Sequence, residues 1–317
     1  MASKKKQPHP ILETIRSRVV DKIPGTRNIS YSQFSTYLEC PHQFYVKYGL
    51  GNYPFSSSIH SVFGTALHET IQHYLDLLFN VTIKASNDFD YSVYLQDRLA
   101  DNYLKEVKAN EGKHFSNKNE MKEFHEDGCA IMKYIKKSRA KLFDTKYQIL
   151  VANELYLNSP VIEGNEIIRF QGFIDTVLFD TFNGKVTVLD WKTSTSGWTK
   201  WQISDEKKLA QLKLYKHYFS KQFGIPFEDI TVEFKILKRK VNSFEFEGYE
   251  METPRVAGIK PAQAAITVKK AVSLLEEFVE DCFDTDGKVK EGYYTQTNTP
   301  HACRFCPFNS NQELCPR

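Results

Sequence analysis

The hydrophobic positions of this chain change their spacing near residue 147. Before it, Tyr31, Phe34, Tyr37 and Leu38, and then Leu67, Ile71, Tyr74, Leu75 and Leu78, recur at intervals of three and four, the spacing of one helix face. Ser30 followed by Gln33 has the form of a capping box, so a helix is predicted to start there, and Cys40-Pro41 should bend or restart it. Thr65 to Asn80 reads as a second helix carrying His68. Tyr91 to Phe143 is mostly helical and charge-rich, which predicts a helical insertion over about 84–145. From Tyr147 the pattern alternates: Gln148 to Leu157, Glu166 to Phe179 and Lys185 to Trp191 read as strands, with Asn183-Gly184 as a two-residue turn between the last two. Helical spacing returns at Leu209, Leu212, Tyr215, Phe219 and Phe223, and Gly224 stands where a helix would end. Thr231 to Lys238 and Ser243 to Tyr249 read as strands, and Ala262 to Cys282 as a last helix. This order predicts an α/β fold with a central mixed sheet flanked by helices.

Composition narrows the function only slightly. The 317 residues, 41% hydrophobic, fill a sizeable core, and a net charge of +3 is too small to argue nucleic-acid binding by itself. Any basic groove must be local, with Lys207, Lys208 and Lys213 as candidates beside the late helix. There is no apolar run of about 18 residues, and Met1 to Pro10 lacks the apolar centre of a signal peptide. The expectation is a soluble, cytoplasmic protein with no membrane partner and a disordered basic segment over residues 1–29.

The densest chemistry lies between Gly172-Phe173-Ile174-Asp175 and Asp190-Trp191-Lys192. If Asn183 and Gly184 are the two turn residues, positions whose numbers sum to 367 face each other. Asp175 then pairs with Lys192, and Val177 with Asp190. Asp175, Asp190 and Lys192 would share one face, the carboxylates being diagonal neighbours at about 7–8 Å between backbones, within reach of one divalent ion. Two carboxylates on Mg²⁺ or Mn²⁺ beside a lysine suit phosphodiester hydrolysis. A surface ion pair across two strands is the plainer reading of the three residues alone. His68 alone is more simply a packed histidine, and His68-Glu69 with His73 has the wrong spacing for a zinc protease helix.

Taken together, this hairpin resembles the core of PD-(D/E)xK nucleases, in which an aspartate precedes a (D/E)-x-K tripeptide on the next strand. Gly64-Thr65-Ala66-Leu67-His68 is similar to the upstream GxxxH of the RecB-like exonuclease branch, and Gln211-Leu212-Lys213-Leu214-Tyr215 to its QxxxY helix. The pattern from Ser32 to Pro41 followed by Phe44-Tyr45 is similar to the first helix of many members, so the resemblance runs in order from Tyr31 to Cys315. It implies a restriction-endonuclease-like core over residues 30–317. It further implies His68, Asp175, Asp190 and the Trp191 carbonyl as ligands of Mg²⁺ or Mn²⁺, Lys192 as the group that positions the attacking water, and Gln211 and Tyr215 as DNA contacts or supports of the site. Glu154, on an upstream strand, is a further acidic candidate.

Six cysteines divide into two kinds. Cys129 and Cys282 lie in helix-like runs and read as small buried hydrophobes. Cys40, Cys303, Cys306 and Cys315 form a one-plus-three set in which three are followed by proline. Four thiolates suit structural zinc as well as an iron-sulfur cluster. The resemblance favours a [4Fe-4S] cluster, since cluster-bearing relatives, including AddB-type recombination subunits and CRISPR-adaptation nucleases, use one upstream and three late cysteines. The eight residues between Cys306 and Cys315 exceed the usual spacing. Such a staple would make residues 283–317 a cluster-binding tail.

The expected activity is therefore a metal-dependent DNA exonuclease acting on single strands or ends, akin to phage or CRISPR-associated members and, if phage-encoded, working in the host cytoplasm. No GxxxxGK[ST] motor sequence occurs, so unwinding would fall to a helicase or to a recombination or adaptation partner. The rivals are a nucleic-acid-binding or assembly subunit that keeps the fold, and a sequence-specific endonuclease.

Overall fold

The computed structural model describes residues 9–246, 249–309 and 311–316. In chain order the elements are α1 (Pro10–Arg16), β1 (Arg27–Ser30), α2 (Tyr31–Glu39), α3 (Pro41–Phe44), α4 (Ile59–Asp76), α5 (Ile83–Asp88), α6 (Tyr91–Ala109), α7 (Lys118–Lys137) and α8 (Arg139–Leu142). They continue with β2 (Gln148–Pro160), β3 (Ile168–Asp180), β4 (Lys185–Ser194), α9 (Lys200–Ile203), α10 (Glu206–Phe223), β5 (Ile230–Lys238), β6 (Ser243–Phe246), β7 (Tyr249–Glu252), β8 (Val256–Ile259), α11 (Ala265–Cys282) and α12 (Pro300–Arg304).

Six strands form one mixed sheet. β2 runs antiparallel along β3 from Gln148↔Asp180 to Pro160↔Arg169. The other edge of β3 is shared: β1 pairs with it in parallel over Ile168 to Gln171, and β4 pairs with it antiparallel over Thr176 to Asp180. β5 lies parallel to β4, and β8 antiparallel to β5. β6 and β7 form a separate two-stranded ribbon, so the single strand expected from Ser243 to Tyr249 is two short ones; residues 247 and 248 lie outside the described residues.

Strand alternation feeds two cores. Val177, Val186, Val188 and Val232 face α2, α10 and α11, where Phe34, Leu212, Phe219, Leu275 and Phe278 are buried. Leu178, Leu189, Trp191 and Leu237 face α4, α6 and α7, where Leu67, Ile71, Leu95 and Ile131 are buried. Helices therefore cover both faces of the sheet, as the sequence predicts, and the helical run before the sheet supplies one whole layer. Among the described residues no helix is long and apolar enough to cross a membrane.

Three elements were illegible in the sequence. β8 is only four residues long and carries Gly258, whose missing side chain leaves room for the Glu233 carboxylate. The segment expected to be a disordered tail up to residue 29 contains α1 and β1. α1 forms because His9 caps it, Pro10 stands in its first turn and Ile15 buries itself in the first core; Lys4, Lys5 and Lys6 lie outside the described residues. Ile15→Ala is expected to lower stability by about 2–5 kcal/mol in urea titration. An unchanged midpoint would return this segment to the status of a detached tail.

Candidate active site

The site lies where the sheet comes apart. β3 and β4 pair from Asp180↔Lys185 to Thr176↔Leu189 and no further, while β1 occupies the same edge of β3 only as far as Gln171↔Ser30. Gly172 to Asp175 thus have no strand partner on that edge among the described residues. Side chains replace the lost bonds. The Tyr215 hydroxyl donates to the Phe173 carbonyl at 3.1 Å, and Asp175 Oδ2 accepts from the Trp191 amide at 2.7 Å. Gly172 admits the tyrosine ring, since an added Cβ there would stand 2.8 Å from Tyr215 Cε1.

The hairpin register differs from the expected one. Partners' numbers sum to 365, so the turn is a four-residue loop, Thr181 to Gly184, and Asp175 comes level with Asp190 rather than with Lys192. Asp180 is the reason. Its Oδ1 accepts from the amides of Phe182 and Asn183 at 2.8 and 3.3 Å, which ends β3 two residues earlier, and Gly184 supplies the positive φ of +73° that the loop needs. The register slips by two residues, which brings Asp175 level with Asp190 rather than diagonal to it.

Three segments converge on the gap. Asp190 is 2% exposed; its Oδ1 accepts from Gln211 Nε2 at 2.9 Å, and its Oδ2 stands 2.7 Å from Lys192 Nζ yet receives no hydrogen bond of acceptable geometry. Lys192 is thus the ion-pair partner of that oxygen. His68, on α4, places Nδ1 3.7 Å from Asp175 Oδ2. At Gly64 the same helix runs close to β4, where an added Cβ would meet Thr193 Oγ1 at 3.5 Å. Burial pushes the His68 imidazole down to about 4, against the pull of Asp190, so it is neutral at neutral pH, the form that ligates metals. Burial raises Asp175 and Asp190 to about 6 each, although Lys192 draws both back down. Burial also opposes the charge of Lys192, but Asp190 and then Asp175 hold it above its ordinary value.

Two supports come from the QxxxY helix. Gln211 bridges Asp190 and the Tyr215 hydroxyl, and Tyr215 in turn fixes the Phe173 carbonyl. Both act on the site from within the fold. Glu154 falls between the register pairs Asn153↔Thr176 and Leu155↔Ile174, opposite Asp175, and holds φ +52° inside a strand. That conformation is costly for a residue with a side chain. Gln72 Nε2 donates to its Oε1 at 2.6 Å. Gln72 was not singled out from sequence, although it follows His68 by four residues and so shares its helix face.

The lysine candidates for a basic groove are already engaged. Lys213 is 3% exposed and pairs with Glu206, Lys207 bonds the Leu38 carbonyl and pairs with Glu39, and Lys208 lies over the Trp198 ring. The Trp191 indole is buried and donates to Thr176 Oγ1 at 3.1 Å.

Far from the gap, Cys40, Cys303, Cys306 and Cys315 line one pocket with His42 and Thr297. Cys40 ends α2 and caps α3, accepting from the Gln43 amide at 3.5 Å and the Thr297 amide at 3.4 Å. His42 Nε2 meets the Leu314 carbonyl at 2.7 Å. Burial raises the Cys306 thiol, and its neighbours Cys315, Cys40 and Cys303 add to the rise, as expected of thiols sharing a pocket without a cation. Cys282 is buried, its thiol pushed up to about 12, and Cys129 is raised by burial too, which fits both as packing residues. Among the described residues no group of three or more His, Cys, Asp or Glu side chains is arranged so that it could hold a metal ion as it stands.

A lysine and two burial-strained carboxylates at a break in a mixed sheet have the composition that cation-assisted phosphodiester hydrolysis requires. The chain belongs to the PD-(D/E)XK nuclease superfamily, whose profile matches residues 28–316. By class it is a metal-dependent nuclease, and Mg²⁺ or Mn²⁺ is the usual cation of such enzymes. No curated protein matches the chain.

A cation held by Asp175 and Asp190 must compete with protons below their raised pKa of about 6, while His68 stays neutral down to about 4. The melting-temperature rise given by Mg²⁺ should therefore be large at pH 7.5 and fall as pH drops through 6. At pH 5 each protonating carboxylate weakens binding on the order of tenfold. Equal shifts at pH 7.5 and pH 5, read by differential scanning calorimetry, would remove these carboxylates as the cation site.

Proposed function

We propose that this chain is a DNA exonuclease acting on single strands or strand ends, with His68, Asp175, Asp190 and the Trp191 carbonyl holding Mg²⁺ or Mn²⁺. The observation that carries this reading is the convergence of His68, Asp175, Asp190 and Lys192 from α4, β3 and β4 on one gap. When bound, the cation supplies a Lewis acid and an acidified water. Lys192 holds a positive charge beside Asp190, where it can orient the attacking water and offset charge developing on the phosphate. Gln211 keeps Asp190 aimed into the gap, and Glu154, held by Gln72, adds negative charge next to Asp175. Where unwinding is needed, a helicase or a recombination or adaptation partner would supply it.

End-labelled single-stranded, duplex and closed circular DNA with Mg²⁺ or Mn²⁺ separate this reading from its rivals. Mononucleotides or short products released from linear single strands, with circles spared, are expected. Cutting of circles at one short sequence would favour an endonuclease, and binding without cleavage an assembly subunit. Lys192→Ala should lower turnover by roughly 10²- to 10⁴-fold, and Asp190→Asn at least as much, with the melting temperature kept within a few degrees. Wild-type rates in both variants would remove them from the chemistry.

We further infer that Cys40, Cys303, Cys306 and Cys315 hold a [4Fe-4S] cluster that staples α2 to the tail. The support is their common pocket together with the mutual unfavourable effect of their thiols. Anaerobically purified protein should be brown and contain iron and sulfide, and Cys40→Ser should lose the metal as fully as Cys306→Ser. Stoichiometric zinc in colourless protein would replace iron but keep the staple. Metal-free protein whose melting is unaffected by Cys40→Ser would remove both.

A further inference from the structure

Beside the carboxylates the sheet carries an aromatic surface to which the chemistry above gives no task. Ile174 points into the first core, so the preceding Phe173 emerges on the opposite face. Phe173 is 54% exposed. Its register partner on β2, Tyr156, backs it, with ring centroids 4.9 Å apart and planes 33° from parallel. The Tyr156 ring is held at its hydroxyl, and the Phe173 backbone at its carbonyl. The Tyr156 hydroxyl accepts from Asn158 Nδ2 at 2.8 Å and donates to Gln171 Oε1 at 3.4 Å, and the Phe173 carbonyl is fixed by Tyr215.

A single exposed aromatic residue is ordinary on a protein surface. This one differs in its placement. It lies two residues from Asp175 along an extended strand, about 7 Å away, inside the window of β3 that no strand covers on one edge. Its carbonyl is bonded by the same tyrosine that touches Gln211 and through it Asp190, so the backbone that presents the ring is tied to Asp190.

We propose that Phe173, backed by Tyr156, stacks the nucleobase adjacent to the phosphate being cut, and that this contact selects single-stranded DNA. The proposal rests on the nuclease reading above. A base inside a duplex has both faces covered by its neighbours, whereas an unpaired base offers a free face, and stacking on an aromatic ring tolerates every base. Phe173 therefore favours single strands without reading sequence. The negative charge of Glu154 and Asp175 on one flank keeps an unneutralised phosphate away from the ring, so the base, not the backbone, meets it.

The test uses single-stranded oligonucleotides carrying either an abasic site or 2-aminopurine at successive positions near the cut, with Mg²⁺. For the wild type, one abasic position should raise KM roughly tenfold while kcat changes less than twofold. Phe173→Ala and Phe173→Leu should show that raised KM on the intact strand and no further loss with the abasic strand, and Phe173→Trp should restore the wild-type value. At the same position 2-aminopurine emission should be quenched by the wild type and not by Phe173→Ala, a reading that holds whether or not the strand is cut. Equal KM and equal quenching in wild type and Phe173→Ala would overturn the stacking role. A wild type that quenches but cuts no DNA would overturn the nuclease reading while leaving the stacking in place.

Discussion

Hydrogen bonding between β3 and β4 ends at Thr176↔Leu189, and the rest of the site follows from that interruption. In a continuous ladder the Trp191 amide and the Phe173 carbonyl would bond to a neighbouring strand. Interrupted, each needs another partner, because a buried polar group left unsatisfied costs about 1–3 kcal/mol. Asp175 satisfies the amide and Tyr215 the carbonyl. The orientation of an acidic side chain and the closing of the backbone's hydrogen bonds are thus the same contacts, and Gly172 is the residue whose lack of a side chain lets the tyrosine in.

The interruption also lets the site be built from both faces of the sheet. α4, from one layer, brings His68 and Gln72 to Asp175 and Glu154. α10, from the other layer, brings Gln211 and Tyr215 to Asp190 and Phe173. A closed sheet would separate these helices by its own thickness. Here they meet around two carboxylates whose burial makes their shared charge unfavourable, with one lysine as the compensating cation.

Much of this was legible in the sequence because it depends on local rules. The 3.6-residue spacing of Leu67, Ile71 and Tyr74 gave the helix that carries His68, and Ile59, Val62 and Phe63 extend the same spacing back to a start at Ile59, capped by Ser58, six residues before the expected one. Alternation along β4 keeps Asp190 and Lys192 on the face of Val186 and Val188, whereas Ile174 and Val177 both enter the first core, so the simple alternation assumed for Asp175 is interrupted between them. The turn itself was misread because Asn183-Gly184 is a strong two-residue signal, and the competing claim of the Asp180 side chain on two amides becomes visible only in three dimensions. The four-residue β1 depends on pairing with a strand about 140 residues away, which no local pattern encodes. Glu154 was suspected for its charge alone, while its positive φ is a property of the folded backbone. The meeting of Cys40 with the tail was inferred from number and resemblance, and their common pocket is a matter of tertiary structure.

α2 gives these two regions a mechanical connection. Its first turn follows directly from Ser30, which pairs with Gln171 one residue before the open window of β3, and its last residue precedes Cys40. Along the way the Tyr31 hydroxyl bonds the Lys207 carbonyl, and Lys207 Nζ bonds the Leu38 carbonyl, so the helix is braced at both ends against the start of α10. Nine helical residues make a stiff rod of about 13 Å. Traction on the sulfur end would therefore be delivered, with little compliance, to the strand edge and the helix that hold the acidic residues in place.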